Sequence, residues 1–202
     1  MRFVKAAAVA ASLALAAPAA ALDAPSGTYV LDPNHASLHF KVMHAGLSNY
    51  TARFTRMTVV VELDAADPEK SSLRVTVDPT SIETDYPNPE AKDFDAELRD
   101  DPRFFNATAF PEITFTSTKM TQTGENSGIV EGDLTLLGVT RPVSMEVTLN
   151  GALAKHPFVD AGALGISAVG TLKRSDFGMT ALVPAVADSV EFIVEAELIE
   201  QK

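Results

Sequence analysis

The chain has 202 residues, a formal net charge of −11, 46% hydrophobic residues and no cysteine. Without cysteine it can have no disulfide, no thiolate metal site and no catalytic thiol. Its acidity argues against nucleic acid or an anionic lipid surface as a partner, and its length fits one domain with a sizeable core.

Residues 1–21 read as a secretory signal peptide. Met1-Arg2-Phe3-Val4-Lys5 is a positive start, Ala6 to Ala17 is an apolar run, and Pro18-Ala19-Ala20-Ala21 is a small-residue exit. The apolar run is about a dozen residues, short of the roughly 20 that cross a bilayer. No later stretch reads as an integral membrane segment, so the expected location is the periplasm. Cleavage after Ala21 leaves one domain, 22–202, with a formal charge of about −13, because Arg2 and Lys5 leave with the signal. An exported domain without disulfides is held by its core alone. A closed β-barrel is one way to do that, since closure leaves no exposed edge.

Two-residue alternation dominates the rest of the chain. Leu38, Phe40 and Val42 alternate with Ser37, His39 and Lys41; Val143, Met145, Val147 and Leu149 alternate with Ser144, Glu146 and Thr148. This is the pattern of strands with one apolar and one wet face. Eight β-rich runs are expected, near 36–43, 53–63, 71–79, 112–120, 127–137, 141–150, 162–174 and 188–199. Leu137-Gly138-Val139-Thr140 reads as a tight hairpin turn. One segment breaks the rhythm: Pro89 and the acidic residues after it predict a short helix over 90–99, with Phe94 and Leu98 on one face, lying across an end of the β structure.

No catalytic constellation is apparent. His35 and His39 are four apart, which on a strand separates them by roughly 13 Å, and His39 and His44 point to opposite faces, so no metal site is expected. The carboxylates at Asp93, Asp95, Glu97, Asp100 and Asp101 lack the spacing of a calcium loop. Gly165-Ile166-Ser167-Ala168-Val169-Gly170 has its second glycine one residue too late for a nucleophile elbow and reads as a small-residue strand. No phosphate-cradling or dinucleotide loop is present, so no cofactor is expected. What stands out is apolar volume. A barrel of about eight strands is either packed solid or holds one ligand, and periodicity does not choose between them.

Five segments carry a family resemblance: Asp32 to His44 (DPNHASLHFKVMH), Phe94 to Phe105 (FDAELRDDPRFF), Phe110 to Ser117 (FPEITFTS), Gly132 to Val143 (GDLTLLGVTRPV) and Lys173 to Met179 (KRSDFGM). In this order and spacing the chain resembles the YceI-like family of bacterial periplasmic proteins. The resemblance implies an all-β fold, an extended lipocalin-like antiparallel eight-stranded β-barrel around an elongated apolar cavity. It also implies a polyisoprenoid ligand, either an isoprenoid quinone or a prenyl diphosphate, and a homodimer. Two positions depart from the family pattern. Ala52-Arg53-Phe54 stands where Gly-x-Phe is common, and Glu97 stands where His precedes the Leu-Arg pair. A carboxylate there disfavours a diphosphate by like-charge repulsion and tilts the ligand toward a quinone.

On that reading the inward parity supplies the ligand lining: Phe40, Val42, Phe54, Leu73, Val75 and Phe115, together with Leu134, Leu136, Met145, Leu172 and Phe192. Phe94, Leu98, Phe104, Phe105 and Phe177 are expected near the helix-covered end or mouth. His44, Arg99 and Arg174 are the candidates for a polar headgroup. The rival readings are an enzyme that modifies an isoprenoid lipid and a ligand-free stress or structural protein.

Overall fold

Strands with one apolar parity are stable only when that parity is gathered on one side, and here it is gathered inside a closed barrel. The structure, a computed structural model, describes residues 22–202; the expected signal peptide lies outside the described residues. Among the described residues ten strands form: β1 (Gly27–His44), β2 (Ser48–Phe54), β3 (Met57–Leu63), β4 (Ser72–Val77), β5 (Ile82–Glu83), β6 (Ile113–Gly124), β7 (Ser127–Leu136), β8 (Val139–Leu153), β9 (Ala163–Lys173) and β10 (Val186–Glu200). The helix α1 spans Phe94–Asp100.

Every pairing is antiparallel, in the order β10-β9-β8-β7-β6-β4-β3-β1-β2-β5, and β10 pairs back onto β1 to close the ring. β2 and β3 both pair with β1 and are parted only by Thr55 and Arg56; β4 and β5 pair with β3 and β2 in turn. The ten strands are therefore eight staves, two of them broken. Hydrogen bonds across the breaks hold them in line: Thr55 N donates to Ser81 O (3.1 Å) and Arg56 N to Ser81 Oγ (3.0 Å).

β1 starts nine residues earlier than the run expected from 36. The reason is a bulge, a register shift against β10 between Leu31 and Ala36. It switches the inward parity from odd (Tyr29, Leu31) to even (Leu38, Phe40), so the sequence shows no single alternation across it. The hairpin expected at 137–140 is present. Leu137 (φ 52°) and Gly138 (φ 71°) form a two-residue turn with both residues left-handed, which suits the twist of β7 and β8. The helix begins four residues later than 90, because Asp93 is its N-cap: its carboxylate accepts the Ala96 N–H (2.8 Å). Among the described residues no helix is long and apolar enough to cross a membrane.

Candidate functional site

The inward side chains of the staves do not meet at the barrel axis. They enclose a cavity of about 790 Å³ with an almost wholly hydrocarbon wall, in the upper part of the roughly 300–1,000 Å³ common for ligand pockets. Small residues at inward positions keep it open. Ala52, Ala168 and Ala196 are part of the wall. Gly132 and Gly170 have no side chain, and the rings of Phe115 and Phe192 lie over them.

Phe40, Val42, Phe54, Leu73, Val75 and Phe115 line this cavity, as do Leu134, Leu136, Met145, Leu172 and Phe192. Phe94, Leu98, Phe104 and Phe105 line its α1 end, and His44 stands exposed on the rim there. Three expectations need correction. Arg99 is not in the wall: its guanidinium is folded onto Asp100 (2.7 Å) on the helix surface. Phe177 is not in the wall: the tight turn Arg174–Phe177 follows β9 at the end of the barrel where α1 lies, but the ring is buried at 2% exposure outside the cavity lining. Arg174 borders the cavity, but its guanidinium does not face a headgroup. It donates to the carbonyls of Ala187 (2.9 Å), Ala181 (2.7 Å), Val186 (2.8 Å) and Met179 (3.4 Å), in the segment before β10 and the first two residues of that strand. Burial pulls its pKa below the usual arginine value.

Sequence reasoning missed much of the wall. Ile166, Val190 and Val194 share the parity of their strands' apolar faces and were legible. Val59 and Val61 sit in an unbroken apolar run, where parity gives no answer. Tyr50 shares the parity of Ala52 and Phe54 on β2 but precedes the run expected from 53, and Tyr86 and Leu182 lie at the rim outside any strand.

At the α1 end the rim is aromatic. Phe54 stacks edge-on with Phe105 (centroids 5.2 Å apart) and tilts against Phe40 (5.6 Å); Phe94 meets both Tyr50 (5.9 Å) and Tyr86 (5.6 Å). Asp95 fastens α1 to the end of β5 by accepting from the Thr84 N–H (2.9 Å) and the Thr84 hydroxyl. Lys92 lies over the Phe94 ring (4.7 Å) and pairs with Glu97 (2.5 Å). The two rim charges therefore cancel. Lys92 and Arg174 are the only lysine and arginine among the described lining residues, and both are engaged.

The other titratable cluster is outside the barrel. His35 Nδ1 lies 2.8 Å from Asp32 Oδ2 and 3.8 Å from Glu197 Oε2, and His156 Nε2 is 4.0 Å from the same Glu197 oxygen. The Asp32 bond and the Glu197 charge raise the pKa of His35, and the His35 and Asn34 bonds lower that of Asp32.

A family model described as the YceI-like domain matches residues 29–198. The chain belongs to the YceI-like family. It is 32% identical over 182 residues to Protein YceI of Salmonella arizonae, covering 89% of this chain and 91% of that one. A crystal structure of a YceI protein from Campylobacter jejuni superposes with a TM-score of 0.69 at 27% identity, over 80% of this chain and 91% of the other. A polyisoprenoid binding domain from Saccharophagus degradans, implicated in plant cell wall breakdown, shares the fold at a TM-score of 0.61 and 14% identity, over 88% and 100% of the two chains.

The segments that carry the YceI-like resemblance do structural work at the cavity. Asp32 to His44 is the bulge and the strand that continues to the rim. Gly132 to Val143 is the β7–β8 hairpin, beginning at the glycine under Phe115. Lys173 to Met179 holds the Arg174–Phe177 turn, which is capped by Gly178, left-handed at φ 87°. At the first departure from the YceI-like pattern, Ala52 adds one methyl to the wall while Arg53 points outward to Glu83 (2.6 Å).

Proposed function

We propose that the mature chain is a periplasmic carrier or store for a long-chain polyisoprenoid lipid with an uncharged polar end, such as an isoprenoid quinone. The observation that carries this reading is the 790 Å³ cavity with its hydrocarbon wall. A buried CH₂ is worth about 0.8 kcal/mol, so a few isoprene units supply substantial gross affinity before ordering costs. A branched, unsaturated chain also matches a wall of phenylalanine and aliphatic side chains. The description of the Saccharophagus protein as a polyisoprenoid binding domain agrees with the reading, though at 14% identity that likeness speaks only for the fold.

The polar end is argued from the charges. A diphosphate needs cationic or N–H donors at its site. Here Lys92 is neutralised by Glu97, and the Arg174 guanidinium is committed to backbone carbonyls. A quinone ring needs only a hydrogen-bonding rim such as His44 and Ser48. The test is to purify the chain from the periplasm of a quinone-producing host without detergent, extract it with solvent and identify the extract by mass spectrometry. Roughly stoichiometric isoprenoid quinone is expected. Recovery of no isoprenoid, together with no binding of added quinone, overturns the reading; recovery of a prenyl diphosphate overturns its headgroup.

A further inference from the structure

The two rims of the cavity differ in chemistry. At the end away from α1 the lining finishes in Glu69, Ser71, Gln122, Glu125, Asn126 and Ser127. At the α1 end it finishes in the Tyr50, Tyr86 and Phe94 cluster and in Leu182. Just outside that second rim two turns project side by side. The β1–β2 turn presents Leu47 at 86% exposure, and the segment before β10 presents Leu182 at 59% and Val183 at 39%. Ala45 N donates to Ala185 O (2.6 Å), and His44 pairs with Val186, so the two turns form one surface.

That surface is uncharged. From Gly178 to Ala187 there is no acidic or basic residue, and from Met43 to Asn49 only His44 is titratable, in a chain that is 21% charged. Leu182 belongs both to this surface and to the cavity wall. A hydrocarbon chain can therefore pass from outside to the lumen along apolar side chains without crossing water. The segment leading into α1, which reaches the same rim through Tyr86, exposes Asp85, Glu90 and Asp93, and its one cation, Lys92, is paired with Glu97.

From this arrangement we infer that the end formed by the β1–β2 turn and the 178–187 segment docks on a lipid bilayer surface of no net charge, and that ligand enters and leaves there. The inference rests on the lipid-carrier reading and adds where and on what the carrier docks. Apolar side chains at turn tips, with tyrosines behind them, suit the boundary between headgroups and acyl chains. The acidic residues beside the patch and the acidic body make an anionic surface unfavourable.

Flotation of the mature chain with phosphatidylcholine vesicles tests this. Its companion is uptake of farnesol, supplied either in solution or within the vesicles. The wild type is expected to float, and Leu47→Glu/Val183→Glu to lower partitioning by at least about tenfold. Neither residue lines the cavity, so the variant is expected to keep farnesol binding in solution while losing uptake from vesicles. Phe158→Glu is the control. Phe158 is 90% exposed, but it lies in the β8–β9 loop at the opposite end, among Lys155, His156 and Asp160, and flotation should be unchanged. The inference is overturned if the wild type does not float, if the double variant floats as well as wild type, if Phe158→Glu abolishes flotation, or if phosphatidylglycerol vesicles bind better than phosphatidylcholine. If the wild type fails to bind farnesol even in solution, it is the carrier reading that falls.

Discussion

The ring of Phe192 on β10 lies across the backbone of Gly170, its registered partner on β9: a Cβ on Gly170 would stand 2.2 Å from the ring's Cζ. Phe115 lies over Gly132, two residues from its registered partner Leu134 on β7, with the corresponding distance 2.4 Å. A glycine facing inward leaves room for a neighbouring ring to lie flat on the wall, and the barrel axis stays empty. Gly170→Ala is therefore expected to push Phe192 off the wall. Overpacking of this kind costs about 1–3 kcal/mol, more than the ~0.5–1 kcal/mol gained by removing a strand glycine. Urea denaturation reads the loss, and solvent extraction reads the reduced ligand load. Combining the change with Phe192→Leu should restore most of the stability; strictly additive effects would show that the two residues do not compete for one space.

Ala168 gives the complementary test. It is 3% exposed, yet it borders the cavity. In a solid core Ala168→Phe would overpack and cost several kcal/mol. Here the added ring has the lumen to occupy, so the unfolding free energy should change by less than about 1 kcal/mol while isoprenoid uptake falls sharply. A collapse of stability would mean the interior is filled, and the carrier reading would lose its site.

These two positions also show where the sequence stops being informative. Strands, the 137–138 turn and part of the wall were legible because alternation reports which side of a strand is apolar. Alternation says nothing about how far inward each side chain reaches. Hollowness depends on Gly132, Gly170, Ala168 and Ala196 falling on inward positions beside large rings, a cross-strand relation that only register reveals. The same limit hid how Arg174 and Phe177 pack. Both sit in a tight turn whose hydrogen bonds reach ten or more residues along the chain, and local pattern does not encode that.

The bulge in β1 carries a pH dependence. His35 is held protonated above its ordinary 6.5 by the Asp32 hydrogen bond and then by the Glu197 charge. A raised folded-state value means its contribution is complete below pH 6.5 and fades as pH rises through the raised value. The Asp32 carboxyl is held below its ordinary 3.8, first by the His35 hydrogen bond, so its contribution is present above 3.8 and is lost as pH falls through the lowered value. The pair thus supports the bulge from mildly acidic pH up to the His35 titration. Imidazole NMR should show His35 titrating above 6.5 and moving down in Asp32→Asn. An unchanged His35 midpoint in that variant would remove Asp32 as the cause.

Arg174 separates two roles that sequence leaves joined. A headgroup ligand would keep its guanidinium free for the lipid, whereas here three short bonds and one longer one tie it to the 179–187 backbone. Next to it Asp188 accepts from Ser175 N (2.9 Å) and Ser175 Oγ (2.7 Å), fixing the start of the turn to β10. Arg174→Met leaves the carbonyls of Ala181, Val186 and Ala187 without their donor. At about 1–3 kcal/mol for each unsatisfied buried group, and with part of this exposed segment regaining water, a net loss of about 2–4 kcal/mol is expected. Arg174→Lys should fall between, because a single ammonium cannot span carbonyls that the planar fork reaches together. Thermal unfolding measures both. Pyrophosphate added to the wild type should leave the melting temperature unchanged. A headgroup role predicts the reverse pattern: stability little affected by Arg174→Met, ligand affinity lost, and stabilisation of the wild type by pyrophosphate.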